Sequence, residues 1–264
     1  MKKSLICLVV LLLTHLPIIA FCQKLPNVQK NSQRLPANYK IDGKTTEWGG
    51  AFQAFNTATL LYYTMSNDDM NLYLTVQSND VSAVTKLTRN GLVLTINPLG
   101  KKSNDNAMSI TFPVFDPQYG NKFSLNISAL KRDQNAVDAA NKKLHENEKY
   151  IKTTGLKKID TLLSIYNRDG IKVAEAFDLT GAYTYELLVP LKYLNLPAKA
   201  IKKIAYHILI PKLDMEKDIM KTNKVNNVIE IRFPDAAAVV PKPENMNDML
   251  STTDFWGEYT LTNK

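Results

Sequence analysis

The chain has 264 residues, of which 45% are hydrophobic, 9% aromatic and 22% charged, and its formal net charge is +8. This is the composition of an ordinary globular protein, so it excludes intrinsic disorder, a collagen-like repeat and a multi-span membrane protein. A chain of this length can bury a sizeable core without the help of disulfides or metal ions.

The first 22 residues have the three parts of a Sec signal peptide. Residues 2 and 3 are lysines, residues 5–20 are mostly apolar, and residues 20–22 (Ala-Phe-Cys) place small side chains at the two positions that a signal peptidase reads. The apolar run is too short for a membrane span, and no later stretch competes with it. We therefore predict export to the periplasm, the cell surface or the medium, with no transmembrane span.

Cys22 leaves a lipoprotein signal as the alternative, in which this cysteine carries the lipid anchor. We disfavour it because the preceding Phe21 is large, whereas lipoprotein signals have a small residue there. Both cysteines, Cys7 and Cys22, fall within residues 1–22, so the exported chain would contain none. A cysteine-free chain in an oxidising compartment is typical of bacterial periplasmic or exported proteins.

The positive charge is spread along the chain. Removal of Lys2 and Lys3 from the 33 basic residues leaves 31 against 25 acidic residues, a net charge of +6. The lysines occur as separated pairs without a block of arginine and aromatic residues, so we predict no nucleic-acid partner. We interpret the pairs as solvated lysines on loops and on a helix; weak attraction to an anionic polysaccharide or a membrane surface is the alternative.

Most of the exported chain alternates between apolar and polar residues, which predicts strands with one buried face. Turn sequences separate most of these strands, for example Asn-Pro-Leu-Gly at 97–100 and Asn-Arg-Asp-Gly at 167–170. The predicted strands are 72–76, 92–96, 108–114, 123–127, 162–166, 171–177, 183–189, 204–210, 228–233 and 256–261.

Three other segments depart from this pattern. Residues 129–150 contain no Gly or Pro and place apolar residues at helical spacing, so we predict an inserted surface helix. Residues 234–250 contain three prolines and are predicted to be a long loop, and residues 23–39 an extended lead-in. The sequence therefore predicts an all-β protein, an antiparallel two-sheet β-sandwich with one inserted helix, in which residues 40–264 form a single domain.

Four short motifs carry a resemblance to a known family. They are Ile-Asp-Gly-Lys-Thr-Thr-Glu-Trp at 41–48, Leu-Tyr-Leu-Thr-Val at 72–76 with Asp80 after it, Gly-Leu-Val-Leu at 91–94 leading into residues 97–102, and residues 182–191 with Tyr-Thr-Tyr-Glu. In order and spacing these motifs resemble the family 9 carbohydrate-binding modules and the related DOMON-like sandwiches, over residues 40–262. The resemblance implies a jelly-roll-like sandwich that binds sugars, often beside calcium, and in some DOMON relatives haem. The helical insertion after Ile127 departs from the family pattern.

Aromatic residues near loops are the candidates for binding a sugar, because an indole or phenol ring can stack on the C–H face of a pyranose. Trp256, at the start of the last strand, is one candidate, with burial as the alternative. Tyr62, Tyr63 and Tyr119 are further candidates, although tyrosine favours strands without any function. Trp48 is predicted to be buried and structural.

Carboxylates and histidines give weaker signals. The loop aspartates 68, 69, 80, 105 and 116 are predicted to make turns rather than to bind calcium, which stays open, and Glu186 is predicted to face solvent. With only His145 and His207 in the exported chain, we predict no metal site. Met65 and His207 are the pair that would hold a haem.

We therefore predict a secreted, non-enzymatic binding module that recognises a carbohydrate or another extracytoplasmic ligand, with no catalytic residue assigned and no cofactor apart from the open question of calcium. One alternative is an envelope structural or adaptor protein that binds another protein through the inserted helix and the Pro-rich loop. A haem-binding DOMON-like domain and a glycosidase with an unrecognised carboxylate pair are the others.

Overall fold

Two antiparallel sheets form the fold. The computed structural model describes residues 24–115, 125, 127–196, 203–213, 221–225, 228–232 and 243–262. The strands are β1 (Ala54–Asn56), β2 (Leu61–Asn67), β3 (Asn71–Ser78), β4 (Leu92–Asn97), β5 (Met108–Val114), β6 (Tyr150–Thr154), β7 (Leu162–Ser164), β8 (Lys172–Phe177), β9 (Tyr183–Pro190), β10 (Lys203–Ile210), β11 (Lys221–Val225), β12 (Val228–Arg232) and β13 (Thr253–Thr260).

The strands are arranged as the two layers of a sandwich. The five-stranded sheet has the order β1-β2-β3-β9-β8, the six-stranded sheet has the order β13-β10-β4-β5-β6-β7, and β11 pairs with β12. Alternate residues of each sheet point into the shared core, for example Leu72, Leu74 and Val76 of β3. The predicted antiparallel two-sheet β-sandwich is confirmed.

The described residues contain three α-helices where the sequence predicted one. They are α1 (Val81–Asn90), α2 (Gln134–Asn147) and α3 (Pro243–Leu250). The predicted helix 129–150 is shorter than expected, because Asp133 caps its start and Tyr150 already belongs to β6. The predicted loop 234–250 is wrong over α3, which begins at a proline, a residue that the first turn of a helix tolerates.

The unpredicted α1 has a clear local cause. The Asp80 carboxylate accepts a hydrogen bond from the Ala83 amide at 2.9 Å and so caps the helix. Ala83, Val84 and Leu87 are buried. This burial outweighs the low helix propensity of the serine and threonines in the segment.

Some predictions fall where the structure gives no description. The predicted signal peptide and Cys22 lie outside the described residues. So does most of the predicted strand 123–127, and its last residue, Ile127, instead opens a short 3-10 helix.

A pair of tyrosines connects the two sheets through the core. The hydroxyls of Tyr63 in β2 and Tyr206 in β10 are 2.9 Å apart, and both side chains are fully buried. The backbone amide of Gln29 donates to the Tyr63 hydroxyl at 2.8 Å. The Tyr206 ring lies over Gly257, where a Cβ atom would come within 2.2 Å of it.

The predicted lead-in closes one side of the sandwich. Beyond the end of the short β1, the Gln29 side chain donates to the Met65 carbonyl at 2.8 Å and accepts from the Met65 amide at 2.7 Å, as a neighbouring strand would. A few residues later, the Ser32 hydroxyl donates to the Thr260 carbonyl at 2.5 Å. The segment therefore spans from the five-stranded sheet to β13 and covers exposed strand edges.

We expect Tyr63→Phe to lower the free energy of unfolding by about 1–3 kcal/mol, because it leaves the Tyr206 hydroxyl and the Gln29 amide buried without this partner. The adjacent Tyr62→Phe is the matched control, since Tyr62 is exposed, and should change stability by less than about 0.5 kcal/mol. Urea unfolding measures both variants, and equal effects would contradict the buried bridge.

Candidate ligand-binding face

Trp256 lies on the outer face of the six-stranded sheet. In β13 the buried residues Phe255, Gly257 and Tyr259 alternate with residues that point outward, and Trp256 is one of these. Among the described strands, β13 is the edge of this sheet. Trp256 is therefore half-buried at the margin of an outward-facing surface.

The indole of Trp256 is held by a neighbouring histidine. Trp256 is directly opposite His207 in β10, and the two rings stack with their centroids 4.5 Å apart and their planes within 2°. His207 Nε2 is 2.7 Å from Asp254 Oδ2, and the Asp254 side chain is 46% exposed. One face of the indole is thus covered by the imidazole.

A row of polar residues continues from this stack across the sheet. Opposite positions on successive strands place His207 beside Thr95, Thr95 beside Ser109 and Ser109 beside Thr154. The hydroxyls of Thr95 and Ser109 are 2.9 Å apart. With the usual strand spacing the row from Trp256 to Thr154 is about 19 Å long. His207 and Thr95 are buried, so the accessible part of the row is Trp256 at one end and Ser109 and Thr154 at the other.

Tyr62 lies on the opposite side of the molecule. It is on the outer face of the five-stranded sheet, 37% exposed, with its ring 4.5 Å from that of Phe55. Its neighbour across the strands, Gln77, donates to the Thr184 hydroxyl at 3.0 Å, and both line a cavity of about 640 Å³. The structure therefore does not bring Tyr62 and Trp256 together.

The remaining aromatic candidates fall elsewhere. Tyr63 is buried in the core. Tyr119 lies outside the described residues. Trp48 is buried as predicted, in an edge-to-face contact with Tyr39 at 5.7 Å.

Glu186 corrects another prediction, because it is fully buried and does not face solvent. Its carboxylate accepts hydrogen bonds from the Tyr39 hydroxyl at 2.6 Å and from the backbone amides of Asp42 and Gly43, each at 2.8 Å. Burial raises the pKa of Glu186 to about 7, although these hydrogen bonds oppose the rise. The alternation of β9 places Glu186 on the outer face of the sheet, and residues 39–43 cover it there.

Glu175 is a second carboxyl group in an apolar setting. It lies on β8 between Val173 and Phe177, which pack against the core, and it accepts a hydrogen bond from the buried Tyr183 hydroxyl. Burial raises the pKa of Glu175 to about 8, with the Tyr183 hydrogen bond opposing the rise. Neither Glu175 nor Glu186 lies on the face that carries Trp256.

The carboxylates on the Trp256 face do not form a glycosidase pair. Asp254 and Glu258 are four residues apart on one strand, which separates them by about 13 Å. Glycosidases hold their two carboxyl groups about 5–9.5 Å apart. These two residues therefore give no support to hydrolysis at this face.

Two of the loop aspartates act as turn residues, as predicted, whereas Asp80 caps α1. Asp68 accepts from the amides of Met70 and Asn71 at 2.7 and 2.6 Å, and Asp105 pairs with the Ser103 hydroxyl at 2.8 Å. Asp69 forms an ion pair with Arg34 at 2.8 Å. Asp116 lies outside the described residues.

The two haem candidates do not face each other. Met65 is fully buried between the sheets, whereas His207 lies on the outer face of the six-stranded sheet and contacts Trp256 and Asp254. His145 is exposed on α2. Among the residues that the structure describes, no three His, Cys, Asp or Glu side chains are grouped as metal ligands, and no helix is long and apolar enough to cross a bilayer.

We expect Glu186→Ala to lower the free energy of unfolding by about 2–4 kcal/mol, because two buried amides and a buried hydroxyl lose their acceptor. Glu186→Gln is the matched control, since its amide can accept from the backbone and donate to the Tyr39 oxygen. Glu186 holds residues 39–43 against the sheet, so trypsin should cleave after the exposed Lys40 and Lys44 faster in the Ala variant than in the Gln variant. Equal cleavage of the two variants would contradict the role of Glu186 in holding this segment.

Glu175 should make the stability fall as the pH rises. Below about pH 4.5 the Glu175 carboxyl is protonated in both the folded and the unfolded protein. Between about pH 4.5 and about pH 8 it stays protonated only in the folded protein, so the free energy of unfolding falls as the pH rises through this range. We expect Glu175→Gln to gain stability relative to wild type as the pH increases. Urea unfolding at several pH values measures the difference in stability between Glu175→Gln and wild type. Glu146→Gln, at an exposed position, is the control. A difference that does not change with pH would contradict the prediction.

The comparisons with known proteins add no family assignment. No family model matches the chain, and no curated protein matches it either. The resemblance to family 9 carbohydrate-binding modules thus stays a prediction, and the case for this face depends on its geometry.

Proposed function

We propose that this chain is an exported, non-enzymatic carbohydrate-binding protein whose ligand stacks on Trp256. The observation that carries the proposal is the half-buried indole at the edge of the six-stranded sheet, stacked on His207 at 4.5 Å. The π face of an indole is negative and attracts the C–H groups on the apolar face of a sugar ring. A ring held in place before the ligand arrives loses little side-chain entropy on binding.

Polar groups near the indole suit the hydroxyls of a sugar. The exposed Asp254 carboxylate can accept hydrogen bonds from ring hydroxyls, and the half-buried Ser109 hydroxyl lies further along the same face. A few well-placed polar groups beside an apolar contact are typical of small-ligand sites. The motifs shared with family 9 modules and the signal-like residues 1–22 agree with this assignment.

The adaptor alternative receives less support from the inserted helix. Val137, Ala140 and Leu144 of α2 are buried against the sandwich. Apart from Ala139, the exposed residues of α2 are polar or charged. This helix therefore presents a polar face to solvent, whereas large exposed apolar patches mark protein-binding surfaces.

A glycan array, with and without calcium, tests the proposal on the exported protein. We expect Trp256→Ala to weaken binding of the best ligand about ten-fold, as the loss of one central aromatic contact does. Trp256→Phe should keep part of the affinity, because a smaller ring still stacks.

Two further variants locate the site. Tyr166→Ala removes an exposed aromatic ring far from any proposed site and should bind normally. Tyr62→Ala tests the opposite face: if binding is lost there and kept in Trp256→Ala, the ligand occupies the five-stranded sheet and the proposed platform is wrong. Absence of binding to every glycan would contradict the function itself.

A further inference from the structure

We infer that the ligand on Trp256 is an anionic polysaccharide, whose carboxylate or sulfate groups are bound in a lysine-lined cavity beside this residue. The inference rests on the proposed function and names the class of sugar. The cavity has a volume of about 670 Å³ and lies between the segment 26–32 and the end of the sandwich where β10 starts and β13 ends.

The cavity is positively charged. Its charged lining residues are Lys30, Lys102, Lys203 and Glu258, three cations against one anion. Lys203 Nζ is 2.5 Å from Glu258 Oε2, so the single carboxylate already has a partner. Among the described residues, no carboxylate lies within ion-pair distance of Lys30 or Lys102. Among the described lining residues, three lysines therefore share one carboxylate, which is already paired with Lys203.

Glu258 remains ionised within this arrangement. The hydrogen bond and the charge of Lys203, followed by the charge of Lys102, hold the pKa of Glu258 below its usual range. The cavity thus keeps a net excess of two positive charges at neutral pH.

The cavity lies next to the Trp256 platform along β13, although Trp256 is not one of its lining residues. Glu258, which lines it, and Trp256 point to the same face of β13 and are two residues apart, which separates them by about 7 Å. The segment 26–32 reaches the same strand, where the Ser32 hydroxyl donates to the Thr260 carbonyl. A polysaccharide that stacks on Trp256 and follows β13 therefore enters the cavity with its next units.

An acidic sugar fits this cavity better than a neutral one. A neutral chain would displace water from Lys30 and Lys102 without replacing the lost charge–water interactions. A uronate carboxylate or a sulfate would form charge-assisted hydrogen bonds with the same ammonium groups. The backbone of residues 26–32 lines the other wall and can meet the remaining hydroxyls.

The experiment compares polygalacturonate and a sulfated glycan with dextran, a neutral polysaccharide, using the exported protein at two salt concentrations. We expect the acidic polymers to bind more tightly and to weaken as salt increases. Lys30→Gln and Lys102→Gln should each reduce acidic binding about three-fold, the effect of one exposed ion pair. Glu258→Gln should strengthen acidic binding by a similar factor, because it removes the only anion of the cavity.

The variant Lys143→Gln is the matched control, since it removes one positive charge, as each cavity variant does, from the exposed side of α2. If it weakens acidic binding as much as the cavity variants do, the effect comes from net charge and the inference is wrong. Trp256-dependent binding of neutral glycans alone would preserve the proposed function and overturn the inference. Lysine-dependent binding to phosphatidylglycerol vesicles without polysaccharide binding would assign the cavity to a membrane surface and overturn both.

Discussion

The hydrogen bonds that Glu186 accepts hold a loop over the outer face of the five-stranded sheet. They hold residues 39–43 against the middle of the five-stranded sheet, where Thr64, Thr75 and Thr184 are buried although they point away from the core. A buried carboxylate is costly unless donors surround it, and here a hydroxyl and two backbone amides do so. Residues 39–43 thus cover the centre of the five-stranded sheet, whereas Trp256 lies half-buried on the outer face of the six-stranded sheet beside the exposed Asp254.

The same contact explains the structural role of two of the motifs on which the resemblance to family 9 modules was based. Asp42 and Gly43 belong to the first motif and Glu186 to the last, more than 140 residues later. Gly43 has a φ of +77°, and a Cβ atom there would lie 2.7 Å from the backbone of β8. These residues hold a loop on a sheet and do not contact the proposed ligand. These two motifs therefore stabilise the fold, and other residues must determine which ligand binds.

Sequence alternation predicted β3, β4 and β10, although the structure buries most residues on both faces of these strands. It missed β2, which is also buried on both faces over residues 63–67. It assigned Glu186 to solvent, because alternation tells which face a residue occupies and not what covers that face. Trp256 could be selected from its place near a loop. Its contacts could not be predicted, because His207 lies 49 positions earlier and meets it only through the register of β10 with β13.

The lead-in segment and β13 have a further consequence for how the chain acquires its structure. Gln29 contacts β2, while Ser32 and Arg34 donate to the carbonyls of Thr260 and Thr262, so the first and last parts of the described chain are neighbours. Such distant pairings are slow to form, because the loop-closure entropy is lost before the contacts stabilise the fold. The ribosome must release the C-terminal strand before the sandwich can close.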